Sequence, residues 1–434
     1  MSGLRNVALF ALAAGMIVFV GWQQSPNVAL GLLNLGLISA IMAIGVNIQW
    51  GYAGLLNVGV MGFAALGGLA GVLVAARPVP EAWAAGGVGI LLTLAIAVVT
   101  ILAAIFAWTR MGRAGGVIAA IIVVAGYALA RFVFTPAVQA VEAVNPALSG
   151  YLGGAGLPIV LSWIVGGLLA AGASWAIGKI TLGLRSDYLA IATLGISEIV
   201  VAVLKNEDWL ARGVKNVTGL PRPVPSAVEF RAQPWIADLA AAFDVSVRTM
   251  STWLVKLSYT GLFLVVLLLI LFLAEKALRS PWGRMMRAVR DNEVSAEAMG
   301  KDVKARHLQV FVLGGAVIGI AGAMLTTLDG QFTPGSYQPL RFTFLIWVMV
   351  IVGGSGNNWG AVLGGIIIWF FWIQAEPLGI WLVDIATAWL GDGSAIRRHF
   401  MENAAFMRLT TMGLILLLTL RFAPRGLIPE RRVR

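Results

Sequence analysis

The stretch SPWGRMMRAVRDNEVSAEAMGKDVKARH, residues 280–307, is the one long charged segment of this 434-residue chain. It lies between two apolar stretches, 257–275 and 308–328, that each approach the roughly 20 residues needed to cross a bilayer core. Over the whole chain 59% of the residues are hydrophobic and 12% are charged, whereas a soluble domain carries about 25% charged residues. The composition therefore predicts an integral membrane protein whose charged segment, 279–306, faces the cytoplasm.

Apolar stretches of near-spanning length recur along the entire chain. Two of the candidates, 187–204 and 341–354, are short enough to be re-entrant or tilted. We therefore expect an all-α polytopic membrane protein, a single domain over residues 1–434. We expect about ten to twelve membrane helices or re-entrant segments. The candidate spans are residues 7–22, 28–49, 55–76, 87–108, 116–134, 157–178, 187–204, 257–275, 308–328, 341–354, 358–381 and 405–421.

The Lys and Arg residues predict the orientation, because short cytoplasmic loops carry more of them than external loops do. With twelve spans, most of the 31 Lys and Arg residues lie on the side of the two termini, including Arg431, Arg432 and Arg434. Both termini are therefore predicted to be cytoplasmic, and the first helix is expected to remain uncleaved. The region 205–256, with four prolines, is predicted to be a periplasmic loop with short helices. The net charge of +11 fits such basic loops and does not indicate nucleic acid.

Two glycine-rich breaks interrupt apolar stretches, GYAG at residues 51–54 and GGSGNN at residues 353–358. Irregular backbone at membrane depth is tolerated where it lines a cavity or is buried in protein, as in the discontinuous helices of transporters. Polar and backbone-breaking residues near such breaks are candidates for the translocation path. Each could instead satisfy a neighbouring backbone group. The candidates are Asn47, Gly51, Tyr52, Asn57 and Thr193.

The charged segment predicts two short helices. The first begins at Pro281 and presents three arginines at three-residue spacing on one face. The second covers residues 293–299, with Asp291 or Asn292 as its N-cap. Gly300 can end it in the left-handed conformation. Such a pair is either an ordinary cytoplasmic loop or a docking surface for a soluble partner. The three arginines are Arg284, Arg287 and Arg290.

Several sequence blocks together resemble one known family. They are GYAGLLN at 51–57, LRSDYLAIATLG at 184–195, RAVR at 287–290, EAMG at 297–300, GGSGNNWG at 353–360 and RFAPRGL at 421–427. In this order they resemble the branched-chain amino-acid permease family of ABC importers, in particular its LivM-type subunit. The resemblance covers most of the chain. After Asn57 the family commonly has a glycine-histidine pair with aromatics, whereas this chain has GVMGF at 59–63, which leaves the substrate open.

The resemblance implies a type II-like ABC importer permease in a bacterial inner membrane. Its partners would be a second permease subunit, two cytoplasmic ATP-binding subunits and a periplasmic substrate-binding protein. The chain has no Gly-x-x-x-x-Gly-Lys-Ser/Thr motif, so ATP and Mg²⁺ are expected on the partner ATPases. No cofactor, metal site or catalytic residue is expected in this chain. The residues expected to couple the ATPases to the spans are Arg287, Arg290, Glu293, Glu297, Ala298 and Gly300.

The expected cargo is a branched-chain or related amino acid, and urea or a short amide is the alternative within the family. A competing class is an ATP-independent secondary transporter, which would need paired acids inside the membrane. Glu198 is the best candidate for such an acid and Glu376 the second, and neither lies in an evident relay with histidine. The two histidines, His307 and His399, are interpreted as structural.

Overall fold

The computed structural model describes residues 2–146, 149–390 and 394–430, and nearly all of this part of the chain is helical. Arg431, Arg432 and Arg434 lie outside the described residues. The helices are α1 Ser2–Gln23, α2 Pro26–Ala53, α3 Val60–Ala75, α4 Pro80–Arg110, α5 Gly115–Ala143, α6 Leu161–Thr181, α7 Ser186–Asn206, α8 Asp208–Ala211, α9 Ala227–Arg231, α10 Pro234–Ala242, α11 Val247–Arg279, α12 Pro281–Asp291, α13 Glu293–Ala298, α14 Val303–Asp329, α15 Pro339–Gly353, α16 Asn358–Ala386, α17 Ala395–Glu402 and α18 Met407–Phe422. Two short strands are β1 Val217–Thr218 and β2 Gln331–Phe332.

Within the described ranges, nine helices are long and apolar enough to cross a membrane: α1, α2, α4, α5, α6, α7, α11, α14 and α16. The helices α3 and α15 are apolar but shorter, and α17 and α18 form a pair bent by 66°. Each predicted span overlaps one of these helices, so the all-α polytopic fold is confirmed. The predicted spans 55–76 and 157–178 begin a few residues too early, since α3 begins at Val60 and α6 at Leu161. The stretch 187–204 lies in the full-length helix α7, whereas 341–354 lies in α15, which has only 15 residues.

Helix α2 is the centre of the bundle. In its most apolar 18-residue window 72% of the residues are buried, more than in any other of the nine helices. It packs against α11, α14, α15 and α16, and α14 in turn packs against α3 and α6. Glycines allow these close approaches, since a Cβ on Gly67 of α3 would collide with the backbone of Gly319 in α14. Small residues therefore set the spacing of the central helices.

Helices α4 and α5 form a hairpin at the edge of the bundle. They pack mainly against each other, and only 11% and 6% of their most apolar windows are buried. Because most of their exposed side chains are apolar, this hairpin presents a surface that suits lipid.

The helix ends define two faces of the bundle. One face, called the coupling face after the role predicted for the charged segment, holds α12 and α13, the C-terminal end of α2 and the turn between α15 and α16. The distal face holds the antiparallel pair of β1 and β2, in which Val217 lies opposite Phe332. This pair ties the region between α7 and α11 to the turn that follows α14. Short helices α8–α10 lie in that region, as expected, but the long helix α11 already begins at Val247, inside the predicted loop 205–256.

Candidate functional site

The charged segment folds into the two predicted helices. Ser280 caps α12, because its Oγ accepts a hydrogen bond from the Gly283 amide at 3.3 Å, and Pro281 occupies the first turn. Asn292 caps α13, with its Oδ1 accepting from the Ser295 amide at 2.9 Å. Gly300 follows with φ of +75°. Helix α13 ends at Ala298, one residue earlier than predicted.

Helix α12 is bound tightly to the ends of the spans. Its Met286 and Val289 side chains are fully buried. The Arg287 guanidinium donates to the Leu278 carbonyl at 3.5 Å. Arg290 donates to the carbonyl of Gly51 in α2, and its Nη2 lies 3.0 Å from Glu430 Oε2. Charge-assisted bonds of this kind are stronger than neutral ones, so Arg290 connects α12 to both α2 and the C-terminal segment.

Helix α13 projects from the bundle and forms an exposed tip. Glu297, Ala298 and Gly300 are exposed, as a docking role requires. The tip also carries two large apolar side chains, Val294 and Met299, which are 78% and 80% exposed. Apolar side chains outside the spans mark an interaction site when polar residues surround them. Neither residue was predicted as a coupling residue, although both are apolar residues within a charged segment.

Glu293, the remaining residue expected in coupling, lies at the base of this tip. Its Oε1 is 3.8 Å from the Nε2 of His307, which is buried at the start of α14. Glu293 therefore lies beside the start of a span without a hydrogen bond to it. The role of all six residues in coupling stays a prediction.

The two sequence breaks lie against each other. Asn47 accepts a hydrogen bond from the Gly356 amide at 2.8 Å and donates to Asn358 Oδ1 at 3.0 Å. A Cβ on Gly51 would lie 2.5 Å from the Gly356 nitrogen, so only glycine fits there. The Tyr52 hydroxyl donates to the same Asn358 oxygen at 2.5 Å. The breaks thus form one buried junction next to Arg290.

A second buried polar group holds the extended chain between α2 and α3. Asn57 donates to Gln49 Oε1 at 2.8 Å and accepts from the Gly59 amide at 2.8 Å. Thr193 of α7 accepts from the Val58 amide at 3.1 Å. All five residues proposed for the translocation path are buried and occupied by internal contacts. They brace the irregular backbone in this conformation, and their place along a path stays a prediction.

A groove adjoins the junction of the two breaks, and a separate cavity lies within the bundle. A groove of about 490 Å³ on the coupling face is lined by Asn6, Arg279, Arg284 and Glu430, among others. A cavity of about 190 Å³ lies between α2, α3, α14, α15 and α16, and none of the five path candidates lines it. In the described part of the chain, no three His, Asp or Glu side chains form a group that could hold a metal ion.

Comparison with known proteins identifies the family. The model of the family described as "branched-chain amino acid transport system / permease component" matches residues 125–389. The LivM high-affinity branched-chain amino acid permease of Escherichia coli K12 is 26% identical over 275 residues, 62% of this chain and 57% of that protein. The probable LivM permease of Methanocaldococcus jannaschii is 27% identical over 299 residues, 69% of this chain and 74% of that protein.

More distant relatives include the xylose permease XylH of E. coli K12, which is 26% identical over 189 residues, 42% of this chain and 44% of that protein. The chain spans a little over half of the length of the two enteric LivM proteins it matches, 57% and 56%. No solved structure matches it significantly. Since the family model covers more than half of the chain, this multi-pass membrane protein belongs to the family of branched-chain amino acid transport system permease components.

Proposed function

We propose that this chain is the membrane permease subunit of a binding-protein-dependent ABC importer that moves branched-chain or related amino acids inward. The observation that carries the proposal is the position of the charged segment. Its exposed tip is available to a soluble partner, while its base is bonded through Arg290 to the break at Gly51 in the central helix. Family membership supplies the transport class.

The mechanism follows from this connection. Separate cytoplasmic ATPases would bind ATP and Mg²⁺, and their closure would displace α13. An ATPase can shift the permease between two conformations only if it contacts them differently. Glu297, Ala298 and Gly300 on the tip, together with Val294 and Met299, would make that contact.

The displacement would then reach the membrane helices through α12. Its buried face packs against the ends of the spans, and Arg290 bonds to α2 and to Glu430. The junction of Gly51 with Gly356 joins the ends of α2 and α16, so both helices would respond together. The charged side chains of Arg287 and Glu293 would help α12 and α13 to transmit the same movement.

The expected assembly contains a second permease subunit, two ATP-binding subunits on the coupling face and a substrate-binding protein on the distal face. The coupling face and both termini would then be cytoplasmic, in a bacterial inner membrane. In this arrangement the chain is a transport subunit and ATP hydrolysis takes place on its partners.

A urea or short-amide permease is the alternative within the family, and the xylose relative adds a sugar to the substrates to be tested. An ATP-independent secondary transporter is the alternative of another class. The embedded Glu376 forms an ion pair with Arg408 of α18, and Glu198 lies on the exposed side of α7. This arrangement does not favour a proton relay between them and supports the ABC proposal.

The test is reconstitution of the chain with the permease, ATPase and binding proteins encoded beside it. We expect the subunits to copurify and to take up labelled leucine into proteoliposomes only when ATP and the binding protein are supplied. Urea and xylose serve as competing substrates. Uptake that proceeds equally without ATP would refute the ABC assignment, and uptake of urea or xylose in place of leucine would refute the substrate.

A further inference from the structure

A groove of about 710 Å³ runs along the last turns of α11, and its first part is apolar. Leu268 and Phe272 line it with exposed side chains, and the buried Leu271 lines it as well. Trp359, near the start of α16, adds an exposed aromatic surface. These residues belong to helices of membrane-spanning length, so their exposed apolar surface faces hydrocarbon. This part of the groove therefore suits a lipid acyl chain.

The lining changes from apolar to cationic toward the end of α11. Lys276 and Arg279 line the groove about one and two turns after Phe272. Such a change marks the level at which hydrocarbon gives way to phospholipid headgroups, which is also the depth that tryptophan prefers. The Trp359 indole N–H forms no hydrogen bond with another described residue, so it can donate to a headgroup oxygen.

The charges at this level favour an anion. Glu275 is the one acid that lines the groove, and the protein already satisfies it. Its Oε2 lies 3.2 Å from Arg279 Nη2, and its Oε1 accepts from the Asn358 amide at 3.1 Å. Lys276 is exposed and has no acidic partner among the described residues. The groove thus offers an unpaired ammonium group beside an exposed guanidinium with further N–H donors.

The groove also has room for a headgroup. It joins the groove of about 490 Å³ on the coupling face, because Glu275, Arg279 and Trp359 line both. Arginines outnumber acids in the lining of that second groove, and its Glu430 is paired with Arg290. The positive charge therefore extends over both grooves, and each volume lies within the roughly 300–1,000 Å³ of drug-sized ligand sites.

We propose that this groove binds a phospholipid with an anionic headgroup. The lipid phosphate pairs with Lys276 and Arg279, the Trp359 N–H donates to a headgroup oxygen, and one acyl chain lies along Leu268 and Phe272. Basic pockets between membrane helices are suited to such headgroups. A free phosphate ion would leave the apolar half of the groove empty, which favours the lipid. The bound lipid would connect the ends of α11 and α16, and it requires neither the proposed substrate nor the ATPases.

The test measures lipid binding to the purified full-length chain in a neutral detergent by native mass spectrometry. The lipids are dioleoylphosphatidylglycerol, which is anionic, and dioleoylphosphatidylcholine, which has the same acyl chains and no net charge. We expect the tightest site to bind the anionic lipid at least tenfold more strongly, and glycerol phosphate not to displace it. Equal affinity for the two lipids, or displacement by an equal concentration of glycerol phosphate, would overturn the proposal.

A charge variant locates the headgroup. Lys276→Gln should weaken binding of the anionic lipid by roughly fivefold, the effect expected of one cation at a membrane surface. Lys276→Arg keeps the charge and should retain the affinity. Lys301→Gln removes an exposed cation outside the groove and is the matched control. Equal affinities of Lys276→Gln and Lys301→Gln would contradict the site.

A second variant locates the acyl chain. Phe272→Ala removes a side chain that is 62% exposed in the groove, and should weaken binding of the anionic lipid by roughly threefold. Phe132→Ala, in the lipid-facing hairpin, removes a phenylalanine that is 79% exposed and should bind as the unaltered chain does. Both side chains are exposed, so both variants should fold. Equal binding by the two variants would place the acyl chain outside the groove and overturn the proposal.

Discussion

Arg290, near the end of α12, donates a hydrogen bond to the backbone carbonyl of Gly51 in the last turn of α2. The same guanidinium pairs with Glu430 and lies beside Gly356. One side chain therefore connects the exposed coupling tip to the most buried membrane helix and to the second backbone break.

Replacing Arg290 by Ala should uncouple the tip from the spans. The change removes a bond to Gly51 and leaves Glu430 without its partner, at a cost of about 1.5–3 kcal/mol. If this free energy helps the ATPases to shift the permease from one conformation to the other, ATP-dependent uptake should fall by roughly tenfold or more. The ATPases should still copurify. Arg284→Ala is the control, because the Arg284 side chain bonds, among the described residues, only to the carbonyl of Arg279 in its own segment. Equal uptake by both variants would exclude a role for Arg290 in coupling.

The exposed apolar residues on α13 should contribute to ATPase binding. Val294→Asp combined with Met299→Asp places two charges where a partner would bury apolar surface, and should reduce copurification of the ATPases by roughly tenfold. Val228→Asp changes a comparably exposed apolar residue, 69% exposed, on the distal face and serves as the control. ATPase binding that survives the double change would place the docking surface elsewhere.

Glu297→Lys with Gly300→Pro should abolish coupled transport. The first change reverses a charge on the tip, and the second is incompatible with the φ of +75° at Gly300, since proline requires φ near −65°. Neither residue is buried, so the variant should reach the membrane in normal amounts. Substrate uptake and ATP hydrolysis are measured in the same proteoliposomes. We expect uptake to stop depending on ATP hydrolysis, and hydrolysis to stop responding to transport. A variant with unchanged uptake and ATPase stimulation would disprove the assignment of the coupling residues.

Gly51→Ala should destabilise the junction of the two breaks. A Cβ at this position would lie 2.5 Å from the Gly356 nitrogen, and overpacking of this kind costs about 1–3 kcal/mol. Thermal unfolding of the purified chain should show a lower midpoint. Gly195→Ala in α7, where no atom lies within 4 Å of the new Cβ, is the matched control and should be neutral or slightly stabilising. Identical midpoints for the two variants would show that the junction can open freely.

Asn358→Leu should also lower stability. The Asn358 Oδ1 accepts from both Asn47 and Tyr52, and its amide donates to Glu275 Oε1 at 3.1 Å. Leucine leaves the Asn47 side-chain amide unpaired in a buried setting, at about 1–3 kcal/mol. The Tyr52 hydroxyl keeps a second acceptor, the Ala274 carbonyl at 3.4 Å, and Glu275 keeps its ion pair with Arg279. Asn206→Leu, which removes only a local bond to the Ala202 carbonyl on an exposed helix end, provides the comparison. The difference between the two unfolding midpoints measures how much the buried hydrogen bonds of Asn358 stabilise the chain.

The sequence alone determined the membrane fold, because apolar stretches of spanning length have no other stable place than a bilayer. It also determined the two helices of the charged segment, since Ser280, Asn292 and Gly300 act on their immediate neighbours. Capping and positive φ are local properties, which a linear pattern can reveal.

Tertiary structure decided what those local elements contact. The arginines at 284, 287 and 290 share a spacing in sequence, yet only Arg290 reaches α2, because the bundle brings Gly51 to that end of α12. Asn47, one of the residues predicted for the path, contacts the second break for the same reason, since Gly356 and Asn358 lie 309 and 311 residues away from it in sequence. The cavity of about 190 Å³ is formed by five separate helices, and no sequence pattern specifies how such distant surfaces enclose a space.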